Sequence, residues 1–100
     1  MAADATLLVL AAGFSSRMGA AKGLLDYRGR PWLAEQLARW GGSAIVVVAP
    51  GGSLDSYLAV VATAGARAVV NPAPELGQFA SLQRGLEAAG DARVLVLPVD

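Results

Sequence analysis

Thr6 to Lys22 reads TLLVLAAGFSSRMGAAK, and this stretch decides the fold. It opens on an apolar run, Leu7-Leu8-Val9-Leu10-Ala11, with no polar alternation. A short run of this kind, bounded by turn residues, predicts a strand buried on both faces. The next residues, Ala12-Gly13-Phe14-Ser15-Ser16, are too small and polar to continue that strand. Arg17, Gly19 and Lys22 follow. Small residues let backbone approach a ligand closely, and successive N–H groups in such a loop can form an anion-binding nest. Arg17 adds a planar fork of donors and Lys22 a mobile point charge. Strand, small-residue loop and two cations together predict a cradle for a triphosphate.

Two familiar phosphate loops do not match. Gly13 and Gly19 are separated by five residues and Lys22 follows two alanines, so there is no Walker A loop. Phe14-Ser15 after Gly13 breaks the dinucleotide fingerprint. The pattern that fits is Leu-Ala-Ala-Gly-x-Ser-x-Arg-Met-Gly-x-x-Lys, from Leu10 to Lys22 without a gap. It resembles the signature of the MobA-like nucleotidyltransferases, which include enzymes that attach CMP or GMP to the molybdopterin cofactor. The resemblance implies that Leu10, Ala11, Ala12, Gly13, Ser15, Arg17, Gly19 and Lys22 bind the nucleotide. It also gives Arg17 and Lys22 a catalytic part. Guanylyl-transferring members tend to read Leu-Ala-Gly-Gly where this chain has Leu-Ala-Ala-Gly, so Ala12 implies CTP over GTP.

A second stretch extends the likeness. Asn71-Pro72, Gly77, Ser81-Leu82 and Gly85-Leu86 resemble the family's Asn-Pro…Gly-x-x-x-Ser-Leu-x-x-Gly-Leu. It implies nucleotide contacts from Asn71, Gly77 and Ser81. Read without the family, Ser81 is an ordinary helix-start residue and Asn71 an Asx turn. Asp100 ends a Leu-Pro-Val-Asp run. The resemblance makes it a ligand of Mg²⁺ and the third catalytic residue. Nucleotidyl transfer releases pyrophosphate, and a divalent ion offsets charge on phosphoryl oxygens.

Composition sets the outer bounds. One hundred residues, 55% of them hydrophobic, suffice for one small domain with a core. Lys+Arg and Asp+Glu are eight each, so nothing in the net charge favours nucleic acid or an anionic membrane. With no Cys and no His, disulfides, thiol nucleophiles and Cys/His zinc sites are excluded. Any metal must take oxygen ligands, which suits Mg²⁺. The start, Met1-Ala2-Ala3-Asp4, lacks a basic leader and its apolar run is short. That predicts no signal peptide, no membrane span and a cytoplasmic location.

Along the chain, Gly23 to Arg30 reads as an irregular loop and Pro31 as the first residue of a helix. Leu33, Leu37 and Trp40 give that helix its apolar face, Glu35 and Arg39 pair on its wet side, and Gly41-Gly42 end it. Ala44–Ala49 is a second strand. Ser53 reads as an N-cap, with Leu54, Leu58 and Val61 facing inward after it. Arg67–Val70 is a third strand. Phe79–Ala89 is a helix with Leu82 and Leu86 inward, and Val94–Val99 is a fourth strand. Trp32, Trp40, Tyr27 and Phe79 read as packing residues.

The predicted fold is therefore α/β, a three-layer α/β/α Rossmann-like sheet, mainly parallel, and the resemblance implies that it is of the nucleotide-diphospho-sugar transferase kind, truncated. Every loop singled out follows a strand, which puts them all on one rim. The family's catalytic domain is longer, so residues 1–100 read as its N-terminal nucleotide-binding portion. The implied activity is transfer of a nucleoside monophosphate, CMP from CTP, to a phosphate on a molybdopterin-type cofactor. Guanylyl transfer, a sugar- or isoprenoid-type nucleotidyltransferase, and a binding module without catalysis stay open. The sugar- and isoprenoid-type enzymes expect Pro before the Lys, where this chain has Ala21.

Overall fold

The structure is a computed structural model that describes residues 5–12 and 22–99, apart from the side chains of Lys22 and Glu75. Its centre is a four-stranded parallel sheet. Strand β1 (Ala5–Leu10) lies in the middle, and its Leu7–Leu10 are 5% exposed or less. A two-residue hairpin, β2 (Asp26–Tyr27) and β3 (Arg30–Pro31), follows. Helix α1 (Trp32–Trp40), strand β4 (Ala44–Val48), helix α2 (Leu54–Thr63), strand β5 (Arg67–Val70), helix α3 (Gln78–Ala89) and strand β6 (Arg93–Pro98) complete the chain.

The sheet order is β5-β4-β1-β6. The chain builds outward from β1 to β4 and β5, then returns to the other side of β1. That reversal is the switch point at which open α/β sheets bind ligands, beyond the carboxyl ends of the strands. Register fixes it: Leu10 of β1 pairs with Val47 on one side and Pro98 on the other.

Helices cover both faces. Leu33, Leu37, Tyr57 and Val61 from α1 and α2 pack on Leu7, Val9, Val46 and Val48. On the opposite face Leu82, Ala88 and Ala89 of α3 pack on Leu8, Leu10, Ala12, Ile45 and Val47. The three-layer arrangement agrees with the strand and helix periods of the sequence. Central β1 and β4 are buried along their length, as parallel strands covered on both faces must be. The expectation of full burial fails for β5 and β6, which form the sheet edges. Leu95 and Val96 on β6 are 54% and 41% exposed.

Other differences are local. The predicted loop at Gly23–Arg30 contains a 3₁₀ turn (Lys22–Leu24) and the hairpin. Arg28 and Gly29, with φ of 55° and 93°, take the left-handed backbone that a tight hairpin turn requires. Pro31 is not the first helical residue but the N-cap, because it still pairs with Asp26 in the hairpin. Arg30 joins the expected Glu35–Arg39 pair, and the two guanidinium groups hold the Glu35 carboxyl below the usual carboxylate range. Gly41, at φ 68°, ends α1 as predicted. Ser53 holds the N-cap position of α2, but its hydroxyl makes no capping bond.

Each of two helix faces differs from the predicted one at a single residue, while Leu54, Val61 and Leu82 pack inward as expected. In α2 the inward residues are Leu54, Tyr57 and Val61, and Leu58 is exposed. In α3 Leu86 is exposed, and the buried residues are Ser81 and Gly85. Phe79, read as a packing residue, is 70% exposed. Helix α3 turns its smallest side chains inward because it runs so close to β1. A Cβ on Gly85 would overlap Leu8 Cδ1 and stand 2.8 Å from Leu8 Cδ2. Leu8 is fully buried and has little room to yield. Gly85 of the second motif is thus explained by packing.

Gly85→Ala should therefore lower stability by about 1–3 kcal/mol, the usual cost of overpacking a core. Gly52→Ala, where a Cβ meets nothing within 4 Å, is the control. Thermal unfolding of both variants beside the wild type checks the pair.

Candidate functional site

The site is assembled where β1 and β6 end side by side. Val99 N–H donates to the Leu10 carbonyl at 3.0 Å, continuing the β1–β6 ladder past its last paired residues. On the other side Ala11 N–H donates to the Val47 carbonyl at 2.8 Å. The sheet therefore uses the Leu10 carbonyl and the Ala11 N–H, and the chain leaves it after Ala11. The Ala12 methyl is not on the surface. It is 2% exposed and packs in the core beneath α3 with Leu8 and Leu10.

Gly13, Ser15, Arg17, Gly19 and Asp100 lie outside the described residues. Their neighbours in sequence frame them. The loop leaves at Ala12 and the chain re-enters at the 3₁₀ turn Lys22–Leu24. Gly23 in that turn is buried, and its N–H donates to the Tyr57 hydroxyl at 3.2 Å. Burial pushes the Tyr57 hydroxyl above its ordinary pKa, against the opposing pull of that N–H, so it is protonated at neutral pH.

Asn71 and Ser81 are brought together. Asn71 follows β5, continuing the sheet with its N–H on the Val48 carbonyl at 2.7 Å. Its Oδ1 accepts from Ala73 N–H at 3.0 Å, which is an Asx turn. Its Nδ2 donates to Ser81 Oγ at 2.9 Å. The two residues are 1% and 2% exposed, so each satisfies the other in the interior. This bond ties the end of β5 to the first turns of α3. Gly77, between them, has φ 94° and ψ 177°, a backbone conformation essentially confined to glycine. A Cβ there would meet nothing within 4 Å, so its constraint is conformational.

Sequence reading missed Tyr57. It stands in no motif, and the spacing Leu54, Leu58, Val61 places Leu58 inward in its stead. The spacing Leu54, Tyr57, Val61 is equally helical and is the signal that could have found it. Among the described residues, no group of three or more His, Cys, Asp or Glu is placed to hold a metal ion. Among them also, no helix is long and apolar enough to cross a membrane.

Comparison with known proteins follows the same lines. Residues 7–100 match the family described as MobA-like NTP transferase domain. The chain is 38% identical over 98 residues to a protein of Xanthomonas euvesicatoria named molybdenum cofactor guanylyltransferase, covering 95% of this chain and 46% of the relative. Its fold superposes on the crystal structure of Rv0371c from Mycobacterium tuberculosis with a TM-score of 0.72 and 31% identity. That match covers 100% of this chain and 53% of the other. The chain thus spans about half the length of either protein. A match over nearly its whole length, on a fold whose switch point coincides with the first motif, means that this chain belongs to the MobA-like NTP transferase domain family.

Proposed function

We propose that residues 1–100 are the N-terminal nucleotide-binding part of a cytoplasmic nucleotidyltransferase. The observation that carries this is the coincidence of the Leu10–Lys22 motif with the β1–β6 switch point. A nucleoside triphosphate lies across the rim, its phosphates over the loop from Ala12 to Gly19. Backbone N–H groups of Gly13 to Gly19 and the charges of Arg17 and Lys22 bind the triphosphate and the departing pyrophosphate. Ser15 offers a hydroxyl to the same phosphates. Asn71, Gly77 and Ser81, the residues of the second motif, contact the nucleotide beside that loop, in the arrangement that the Asn71–Ser81 bond fixes.

A phosphate oxygen of the acceptor attacks the α-phosphorus in line. The bond from that phosphorus to the bridging oxygen of the β-phosphate breaks, and pyrophosphate leaves with the electron pair. Catalysis is by positioning and electrostatics, without a covalent enzyme intermediate. Mg²⁺ suits the donor chemistry here. Asp100 is a hard oxygen ligand that follows Val99, and Val99 is hydrogen-bonded to Leu10 at the mouth of the loop. Bound at Asp100, the ion would supply positive charge for the phosphoryl oxygens. The acceptor is a phosphate of a molybdopterin-type cofactor, a reading supported by the family and by the name of the Xanthomonas relative.

The choice of nucleotide rests on Ala12. A Cβ at that position limits the backbone as it leaves β1, and its burial under α3 fixes the loop's starting direction. The methyl itself faces the core, so any effect on the base runs through the course of that backbone, and the Leu-Ala-Ala-Gly pattern supports CTP. The relative's name favours the second reading, GTP.

Arg17→Ala and Lys22→Ala in the full-length protein should each weaken nucleotide binding or turnover about tenfold or more, with the fold intact. Titration with CTP and GTP in Mg²⁺ measures the loss, and wild-type behaviour in both variants would remove the cradle. Side-by-side kcat/KM values for CTP and GTP in wild type and Ala12→Gly test the base preference. Tens-fold discrimination for CTP in the wild type, relaxed in the variant, is expected for one methyl-sized change.

A further inference from the structure

Tyr57 is the one core side chain whose polar end meets the phosphate-loop segment among the described residues. It sits in the first turns of α2 and is 5% exposed, packed on the same face of the sheet as Val46 and Val48. Its hydroxyl reaches out of that apolar cluster to accept the Gly23 N–H at 3.2 Å. The peptide that donates this bond is the one joining Lys22 to Gly23. A peptide unit is planar, so holding its N–H fixes the orientation of the whole Lys22–Gly23 plane. The backbone on which Lys22 stands is thereby fixed as well.

A second observation concerns Gly23. A Cβ on that residue would lie 2.9 Å from both Cε1 and Oη of Tyr57. Glycine is required there by the close approach of the ring, since its φ lies outside the left-handed range. Ring and turn are therefore fitted to each other by shape as well as by the hydrogen bond. A tyrosine that only filled the core would need neither feature. Phenylalanine packs the same volume and leaves no hydroxyl to satisfy.

We propose that Tyr57 is a positioning residue for Lys22: its hydroxyl and ring set the Lys22–Gly23 peptide so that the lysine is presented to the nucleotide's phosphates. The proposal rests on the reading of Lys22 as a phosphate-binding residue. Preorganisation is its physical content, since a long side chain loses less freedom on binding when its backbone is already fixed. No atom of Tyr57 need touch the nucleotide.

The test is a double-mutant cycle on the full-length protein, with Kd for CTP and for GTP measured by calorimetry in Mg²⁺, together with Tm. Tyr57→Phe keeps the ring and removes the hydrogen bond. It should weaken binding about three- to tenfold, the scale of one lost hydrogen bond. In a Lys22→Ala background the same substitution should cause no further loss, because the residue it positions is gone. Gly23→Ala, which forces the ring away, should reproduce the loss of Tyr57→Phe and share its dependence on Lys22. Binding by Tyr57→Phe equal to wild type would overturn the proposal, and so would an equal loss in both backgrounds. If Lys22→Ala alone binds like wild type, the cradle fails and this proposal with it. A loss in Lys22→Ala with none in Tyr57→Phe sinks only the role of Tyr57.

Discussion

The pairing of β1 on both of its edges is the constraint on which the rest depends. Leu7 to Leu10 bond to β4 on one side and β6 on the other, and their side chains fill both cores. An interior parallel strand has no free edge and no wet face, so only a continuous apolar run can occupy it. When the sequence turns small and polar after Ala12, the chain must leave the sheet at its carboxyl rim. Strand order then decides what that rim can do. Because β6 returns beside β1 while α3 crosses on the opposite face from α1 and α2, the loop emerges where no crossover helix need cover it.

Packing on the two faces differs in kind. Under α1 and α2 the core is built from large side chains, Leu33, Leu37 and Tyr57. Under α3 the helix contributes one large side chain, Leu82, beside Ser81, Gly85, Ala88 and Ala89, whose small size lets it lie close to the sheet. The close approach makes Gly85 intolerant of a methyl and buries the Asn71–Ser81 bond. An internally satisfied polar pair of this kind fixes one arrangement of the Asn71–Gly77 loop, since breaking it would leave a buried donor or acceptor unpaired. A motif read as ligand-binding thus contains residues whose immediate partners are one another and Leu8.

The elements were legible because their signals are local. Apolar runs marked β1 and β4, Gly41 marked the end of α1, and the Glu35–Arg39 spacing marked its wet face. What was hidden depends on which neighbours come near. Leu58 and Leu86 are apolar and well spaced, yet they face outward because Tyr57 and Gly85 fit the available space better. Edge exposure of β6 follows from strand order, which composition does not encode. The hairpin at Tyr27–Arg30 was obscured by a non-glycine residue, Arg28, at positive φ. In the candidate site, the exit of the chain from β1 at Ala12 was legible, whereas the Tyr57 bond joins residues 34 apart and lies outside any pattern.

The proposed function requires that nucleotide bind at the β1–β6 rim. Hydrogen–deuterium exchange of the full-length protein, with and without nucleoside triphosphate and Mg²⁺, tests it most directly. Slowed exchange is expected in the segment from Ala12 to Leu24 and at Val99–Asp100, with the opposite rim at Gly41–Ser43 and Gly65–Ala66 unchanged. Saturable binding with protection at the opposite rim, or with none between Ala12 and Leu24, would contradict it.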